Sequence, residues 1–114
     1  MDHRELAAEL FLSDCNCAQA VLEAFGDVTG LEKSFAAKLA SSFGGGMGRM
    51  REVCGAVSGM LMVAGLLYGY DDPGENDVNK KAHYRLVQNL AGQFREEIGS
   101  IICREILDNP PSDP

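Results

Sequence analysis

The stretch VCGAVSGMLMVAGLLYGY, residues 53–70, decides the fold because it runs for 18 residues without a charged side chain. Its four glycines and one serine make it only moderately apolar for a segment at the lower limit of a membrane-spanning length. A helix buried inside a small bundle has the same composition. Since the rest of the chain is amphipathic, we interpret residues 50–68 as a buried central helix. Gly55 and Gly59 lie four residues apart, which predicts close approach of a second backbone.

Three helices are predicted on the N-terminal side of this segment. The first covers residues 3–12, where Asp2 and Glu5 resemble a capping box. The second runs to Phe25 and is followed by Gly26 as a C′ glycine. Its candidate N-caps are Ser13, Asp14 and Asn16. The third covers about residues 31–43, and its predicted apolar stripe consists of Leu31, Phe35, Leu39 and Phe43. The glycine cluster at residues 44–48 then permits a sharp change of direction.

Two more helices are predicted on the C-terminal side, after a loop at residues 71–74. One covers residues 78–98, with Asp77 as its cap and His83, Val87, Leu90, Phe94 and Ile98 on one face. The other covers residues 101–107 and is opened by Ser100. The fold class that follows is all-α, a compact bundle of four to six helices. Residues 1–107 form its single domain, and the proline-rich residues 108–114 are a tail or linker.

The composition excludes several classes of function. The 114 residues carry a formal net charge of −7 and no tryptophan. An acidic surface repels phosphate groups, so neither nucleic acid nor an anionic membrane is an expected partner. The first residues lack the basic start and apolar run of a secretory signal, so the expected location is cytoplasmic. In that compartment cysteines are more often catalytic, metal-binding or buried than joined in structural disulfides.

Three of the four cysteines fall at the starts of predicted helices. Cys17 lies in the first turn of the second helix, Cys54 near the start of the fourth and Cys103 in the first turn of the sixth. The positive end of a helix favours the thiolate, which is the nucleophile and the metal ligand. Arg51 and Arg104, close in sequence to Cys54 and Cys103, can add to this effect. All three thiols lie on apolar faces and can converge, although a buried free cysteine is also an ordinary core residue.

The same thiolates are candidate metal ligands. Three or four inward thiolates, with Cys15 as the fourth sulfur, would suit zinc or an iron–sulfur cluster. The C-x-C spacing of Cys15 and Cys17 differs from the C-x₂-C of zinc ribbons. His83 is an alternative fourth ligand or proton acceptor if it lies near Cys54, although a histidine on an apolar helix face is more often a core residue. The sequence itself identifies no cofactor.

Four motifs that occur in order carry a family resemblance. They are NCAQAV at residues 16–21, FGGG at 43–46, CGAVSG at 54–59 and GSIIC at 99–103. Together they resemble the C-GCAxxG-C-C family, which is named for its cysteine pattern, and they extend over nearly the whole chain. The resemblance implies a helical domain with a role in thiol redox chemistry and no firmly assigned substrate. The family cysteines would be Cys17, Cys54 and Cys103. Members usually have another cysteine further along, and none follows Cys103 here.

The leading hypothesis is therefore a thiol redox protein. Cys54 is its central thiol, and Cys17 or Cys103 is the partner in disulfide exchange. The alternatives are a metal or iron–sulfur binding module that uses the same cysteines, and a non-catalytic helical interaction domain. The redox partner is unknown. A homodimer is also possible, because a small bundle can cover its remaining apolar faces in that way.

Overall fold

A computed structural model describes residues 1–71 and 77–114 and shows an all-α chain, as predicted. The described part contains no strand, although Val53 and Ile102 form an isolated antiparallel bridge. A 3₁₀ turn at Ser41–Phe43 continues the fourth helix. In chain order the helices are α1 (His3–Leu12), α2 (Cys17–Ala24), α3 (Gly26–Thr29), α4 (Lys33–Ala40), α5 (Gly55–Tyr68), α6 (Val78–Ile98) and α7 (Cys103–Ile106).

Capping residues fix the starts of the first two helices. Asp2 caps α1, whose bounds match the prediction, and Asn16 caps α2 in a capping box with Gln19. Gly26 directly follows the C-cap residue of α2 and so occupies the predicted C′ position, but it does not adopt the left-handed conformation there. Gly26 instead opens the four-residue α3, and Gly30, with φ of 76°, is the left-handed residue that ends it.

The core lies where α2 packs against α5. Leu22 on α2 and Val57 on α5 are fully buried. A Cβ atom added at Gly59 would lie 2.9 Å from the carbonyl oxygen of Ala18, so the two backbones are too close for any larger residue. This contact confirms the predicted close approach at the glycine face of α5. It also brings the start of α5 beside the start of α2.

The buried face of α4 differs from the predicted stripe. Ala36 and Ala40 are buried, whereas Phe35 and Leu39 are 58% and 45% exposed. The prediction is therefore wrong for these two larger side chains. Small alanine side chains allow α4 to lie close to α2, and this packing turns the larger residues outward.

The segment before α5 is not helical, which corrects the predicted start at residue 50. Residues 45–49 all have positive φ, between 59° and 72°. Glycine adopts this conformation without strain, but Met47 and Arg49 do not. The amide of Glu52 then donates to the carbonyl of Gly46 at 2.9 Å. The chain consequently reaches Val53 in position to bridge Ile102, and α5 begins only at Gly55.

The same pairing delays the start of α7. The amide of Cys54 donates to the carbonyl of Ile101 at 2.8 Å, and the amide of Cys103 donates to the carbonyl of Glu52 at 2.6 Å. Residues 101 and 102 therefore pair with the segment before α5 and are not helical, contrary to the prediction. Ser100 accepts a hydrogen bond from the amide of Ile102 and does not cap α7 itself. This pairing brings Cys103 beside the segment that carries Cys54.

The predicted bounds of α6 are confirmed, but none of its residues is buried. Asp77 occupies the N-cap position without a capping hydrogen bond from its side chain. On the predicted apolar face, Ile98 is exposed, and His83, Val87, Leu90 and Phe94 are half-buried. The helix packs mainly on α5.

The two ends of α5 differ in their burial. The N-terminal part of α5 is buried at Gly55, Val57 and Gly59. Its C-terminal end is exposed at Leu66, Leu67 and Tyr68, so the predicted burial on all sides does not hold for the whole helix. No helix of the described residues combines the length and the hydropathy that crossing a bilayer requires. Of the loop predicted at residues 71–74, residues 72–74 lie outside the described residues.

Candidate thiol site

Three of the four cysteines line a single cavity of about 290 Å³. Cys17, Cys54 and Cys103 meet there although 37 and 49 positions separate them in sequence. All three are free thiols. The structure therefore brings together the three cysteines of the predicted site. The other residues that line the cavity are Phe11, Asn16, Gly45, Arg51, Gly55, Ile106 and Leu107.

Cys17 is held at the first position of α2 by its neighbours. Asn16 caps the helix and also donates from its side-chain amide to the carbonyl of Ser41 at 3.2 Å. A Cβ atom added at Gly55 would lie 2.2 Å from the Cys17 Sγ. Gly55 immediately follows Cys54, so the missing side chain is what lets the Cys17 sulfur lie against the start of α5.

Cys54 is the N-cap residue of α5, and two opposing effects act on its thiol. Burial raises its pKa above the ordinary cysteine value, and hydrogen bonds from the backbone N–H groups of Ala56 and Val57 partly oppose this rise. Negative charge on Cys17 or Cys103 raises the pKa further, which places Cys54 within electrostatic reach of both. The helix start alone therefore does not make Cys54 a ready thiolate, because desolvation is the larger effect.

Cys103 is the most deeply buried of the three and is in contact with a cation. Its residue is 6% exposed, and Nη1 of Arg51 lies 3.6 Å from its Sγ. Nε of the same arginine donates to the carbonyl of Pro111 at 2.9 Å, so the C-terminal tail helps to hold the guanidinium. At Gly46, an added Cβ atom would lie 2.7 Å from the Cβ of Cys103. The left-handed turn therefore packs directly behind this cysteine.

The two candidate arginines have different roles from those that their sequence positions indicate. Arg51 was expected beside Cys54, but its hydrogen bond is to Cys103. Arg104 instead forms an ion pair with Glu52 at 2.6 Å and donates to the carbonyl of Met50. It does not line the cavity. Of the two candidate arginines, Arg51 is thus the one that contacts a cysteine sulfur in the cavity.

Cys15 is separate from this group. Its Sγ donates to the Glu23 carboxylate at 3.4 Å, and it lines a different surface cavity together with Lys33. Burial and the neighbouring Glu23 carboxylate raise the pKa of the Cys15 thiol. Within the described residues, no group of three or more His, Cys, Asp and Glu side chains is arranged to hold a metal ion. The predicted fourth sulfur is therefore not at the cavity in this conformation.

His83 also lies away from the three thiols. Its ring is in edge contact with Tyr70, with 6.1 Å between the ring centres, and both residues line another cavity. Its Nδ1 is buried without a hydrogen-bond partner among residues 1–71 and 77–114. The structure does not bring this histidine to Cys54 as a ligand or proton acceptor.

The apolar walls of the cavity are formed by Phe11, Ile106 and Leu107. Of these, the sequence aligned Ile106 and Leu107 with Cys103 but did not identify Phe11. Phe11 is 55% exposed on α1, so no periodic pattern distinguished it from a surface residue. The available signal for the other two walls was the position of Ile106 and Leu107, three and four residues after Cys103 and therefore on its face of a helix.

A comparison with protein families identifies the family of this chain. The family model described as "Putative redox-active protein (C_GCAxxG_C_C)" matches residues 15–113. The match includes all four cysteines, the glycine cluster and most of the C-terminal tail. No curated protein and no solved structure matches the chain.

Proposed function

Because this chain belongs to the C-GCAxxG-C-C family, whose description names redox activity, we propose that it is a thiol–disulfide redox protein. Cys54 is its central thiol and forms a disulfide with Cys17 or Cys103. The observation that carries the proposal is the common cavity of these three cysteines, with Cys54 in electrostatic reach of both others. We place this chemistry in the cytoplasm, where free thiols persist.

The proposed reaction transfers two electrons from the protein dithiol to a partner disulfide. One cysteine thiolate attacks a sulfur of the partner, its S–S bond breaks, and one partner thiolate leaves. The second cysteine then attacks the mixed disulfide, which forms the internal disulfide and releases the other partner thiol. Two protons accompany the two electrons. The reverse reaction oxidises two partner thiols.

The surroundings of the sulfurs suggest a division of roles. Burial raises the pKa of Cys54, so this thiol remains protonated to higher pH than an ordinary cysteine and suits the second, resolving step. Nη1 of Arg51 lies 3.6 Å from the sulfur of Cys103, so a cationic hydrogen-bond donor is beside the sulfur to which we assign the first attack. Cys103 is 6% exposed, so a partner disulfide reaches its sulfur through the cavity.

A redox titration tests the proposed function. The reduced protein is equilibrated in thiol–disulfide buffers that cover about −180 to −320 mV, and its free thiols are counted by mass after rapid trapping. The expected result is a two-electron transition in the wild type and in the matched control Cys15→Ser, and none in Cys54→Ser. An unchanged transition in a folded Cys54→Ser variant would show that Cys54 is not the central thiol.

Metal or iron–sulfur binding by the same three cysteines is the alternative: they share a cavity, although in the described residues they are not arranged around a metal ion and would have to move together to bind one. Three thiolates can ligate zinc or a cluster. Anaerobic purification followed by metal analysis and visible spectroscopy separates the two functions. Stoichiometric metal that is lost in Cys54→Ser and retained in Cys15→Ser would support the metal centre over disulfide exchange.

A further inference from the structure

The cavity beside the three cysteines combines apolar walls with one permanently charged group. Phe11, Ile106 and Leu107 supply the walls, and among the described residues that line the cavity, Arg51 is the one with a permanent charge. An apolar pocket with a single well-placed charge typically fixes the orientation of a small ligand. The opposite charge on that ligand is the natural partner of a guanidinium.

No acidic side chain neutralises this guanidinium in the described contacts. Glu52 is the neighbouring acid in sequence, and its Oε1 accepts from Nη2 of Arg104 at 2.6 Å. Arg51 instead donates to the carbonyl of Pro111 and to the sulfur of Cys103. A positive site therefore remains at the cavity of a chain whose formal net charge is −7. General electrostatics would repel anions from this protein, so the positive charge is a local feature of the cavity.

The cavity is small. Its volume of about 290 Å³ lies at the lower end of ligand pockets. It holds on the order of ten groups the size of a water molecule. Such a space admits a small organic molecule and not the folded surface around a disulfide of another protein. A sulfur of that molecule can meet Cys103 while an anionic group lies against Arg51, because these two residues are in contact.

We propose that the cavity binds a small organic disulfide that carries a carboxylate, with the carboxylate held by Arg51 and a sulfur presented to Cys103. This assignment of substrate class rests on the proposed function. The disulfide is the oxidant in the exchange described above. It accepts two electrons and two protons from the protein dithiol, its S–S bond breaks, and it leaves as two thiols.

Alkylation with two matched reagents tests the recognition of the carboxylate. Iodoacetate and iodoacetamide deliver the same reactive carbon to a cysteine, but only the first is an anion. The rates at Cys103 and Cys15 are measured separately in the native reduced protein by peptide mass spectrometry. Cys15 is the internal reference, because Glu23 and Lys33 place opposite charges in its cavity and no arginine contacts its sulfur in the described residues. We expect the ratio of iodoacetate rate to iodoacetamide rate to be at least about tenfold higher at Cys103.

Two arginine variants assign this preference to one side chain. In Arg51→Gln the rate ratio at Cys103 should fall about tenfold, and in Arg51→Lys most of it should remain. Arg49→Gln is the matched control, because Arg49 lies two residues away, also has positive φ and does not line the cavity. Its rate ratio should equal that of the wild type.

Two results would overturn the proposal. One is the same ratio of iodoacetate rate to iodoacetamide rate at Cys103 and Cys15 in the wild type. This measurement does not depend on the folding of any variant. The other is an equal effect of Arg51→Gln and Arg49→Gln. Alkylation does not require a disulfide to form, so the failure of this proposal and the failure of the proposed redox function are read from different experiments.

Discussion

Replacing Gly55 with alanine tests whether the close packing of α2 and α5 builds the thiol site. The new Cβ atom would lie 2.2 Å from Sγ of Cys17, 2.9 Å from the carbonyl oxygen of Phe43 and 3.1 Å from the amide nitrogen of Ala18. Two of these neighbours are backbone atoms, which cannot rotate away. The substitution must therefore push the starts of the two helices apart, and with them Cys17 and Cys54.

The expected magnitude follows from two opposing contributions. Overpacking of a close contact costs about 1–3 kcal/mol. Alanine regains about 0.5–1 kcal/mol over glycine within a helix. The difference between the two ranges is about 0–2.5 kcal/mol, so Gly55→Ala should lower the free energy of unfolding by on the order of 1 kcal/mol, out of the ~5–15 kcal/mol that is typical of a domain. Gly65→Ala is the matched control on the same helix, because its added Cβ would meet no described atom within 4 Å outside its chain neighbours and the adjacent turns of the helix backbone. It should raise the free energy of unfolding by about 0.5–1 kcal/mol.

Urea unfolding of the reduced proteins measures both changes, which should have opposite signs. A Cys17→Ala background refines the test, since it removes the 2.2 Å contact and leaves the two backbone contacts. The cost of Gly55→Ala should fall there without vanishing, which a double-mutant cycle measures as a coupling energy. Equal stabilisation by Gly55→Ala and Gly65→Ala would refute the argument that Gly55 makes room for the Cys17 sulfur.

Three further results are expected. Asn16→Ala removes the capping box of α2 and should lower the free energy of unfolding in urea by about 1 kcal/mol, while an unchanged value would contradict the cap. Gly46→Ala places a side chain on a residue with φ of 72° and puts its Cβ 2.7 Å from that of Cys103, so it should cost about 2–5 kcal/mol in the same assay. A cost below that of Asn16→Ala would argue against the left-handed turn. Burial raises the pKa of Cys54, so less thiolate is present at any given pH. Its alkylation by iodoacetamide should therefore reach half its maximum rate at a pH above the ordinary cysteine pKa. A midpoint at or below that value would contradict the burial.

Features with a local cause could be predicted from the sequence. The bounds of α1 follow from the Asp2 cap and helical periodicity, those of α6 from periodicity and the left-handed Gly99 that ends it, and both agree with the structure. The glycine face of α5 and the inward direction of the cysteines at the helix starts also depend on neighbouring residues alone. Local patterns place Cys17, Cys54 and Cys103 on inward faces, but the packing of separate helices decides whether they meet.

Features with a distant cause could not be predicted. The delayed starts of α5 and α7 both arise from pairing of residues 52–54 with residues 101–103, about 50 positions apart in the chain. The same pairing brings Arg51 to Cys103 instead of Cys54. The glycines of residues 45–49 indicate a left-handed turn. Met47 and Arg49 also have positive φ, which their residue types do not indicate, so the sequence does not show how far the turn extends. Helical periodicity contains no information on any of these contacts.

Mapping the disulfide of the oxidised protein tests the central claim most directly. The native reduced chain is treated with one equivalent of a small disulfide, trapped in acid and digested, and the linked peptides are identified by mass spectrometry. The account predicts an internal disulfide between Cys54 and either Cys17 or Cys103, with Cys15 free. A Cys54 thiol that stays free while other cysteines are oxidised, or one that pairs only with a second chain, would contradict it.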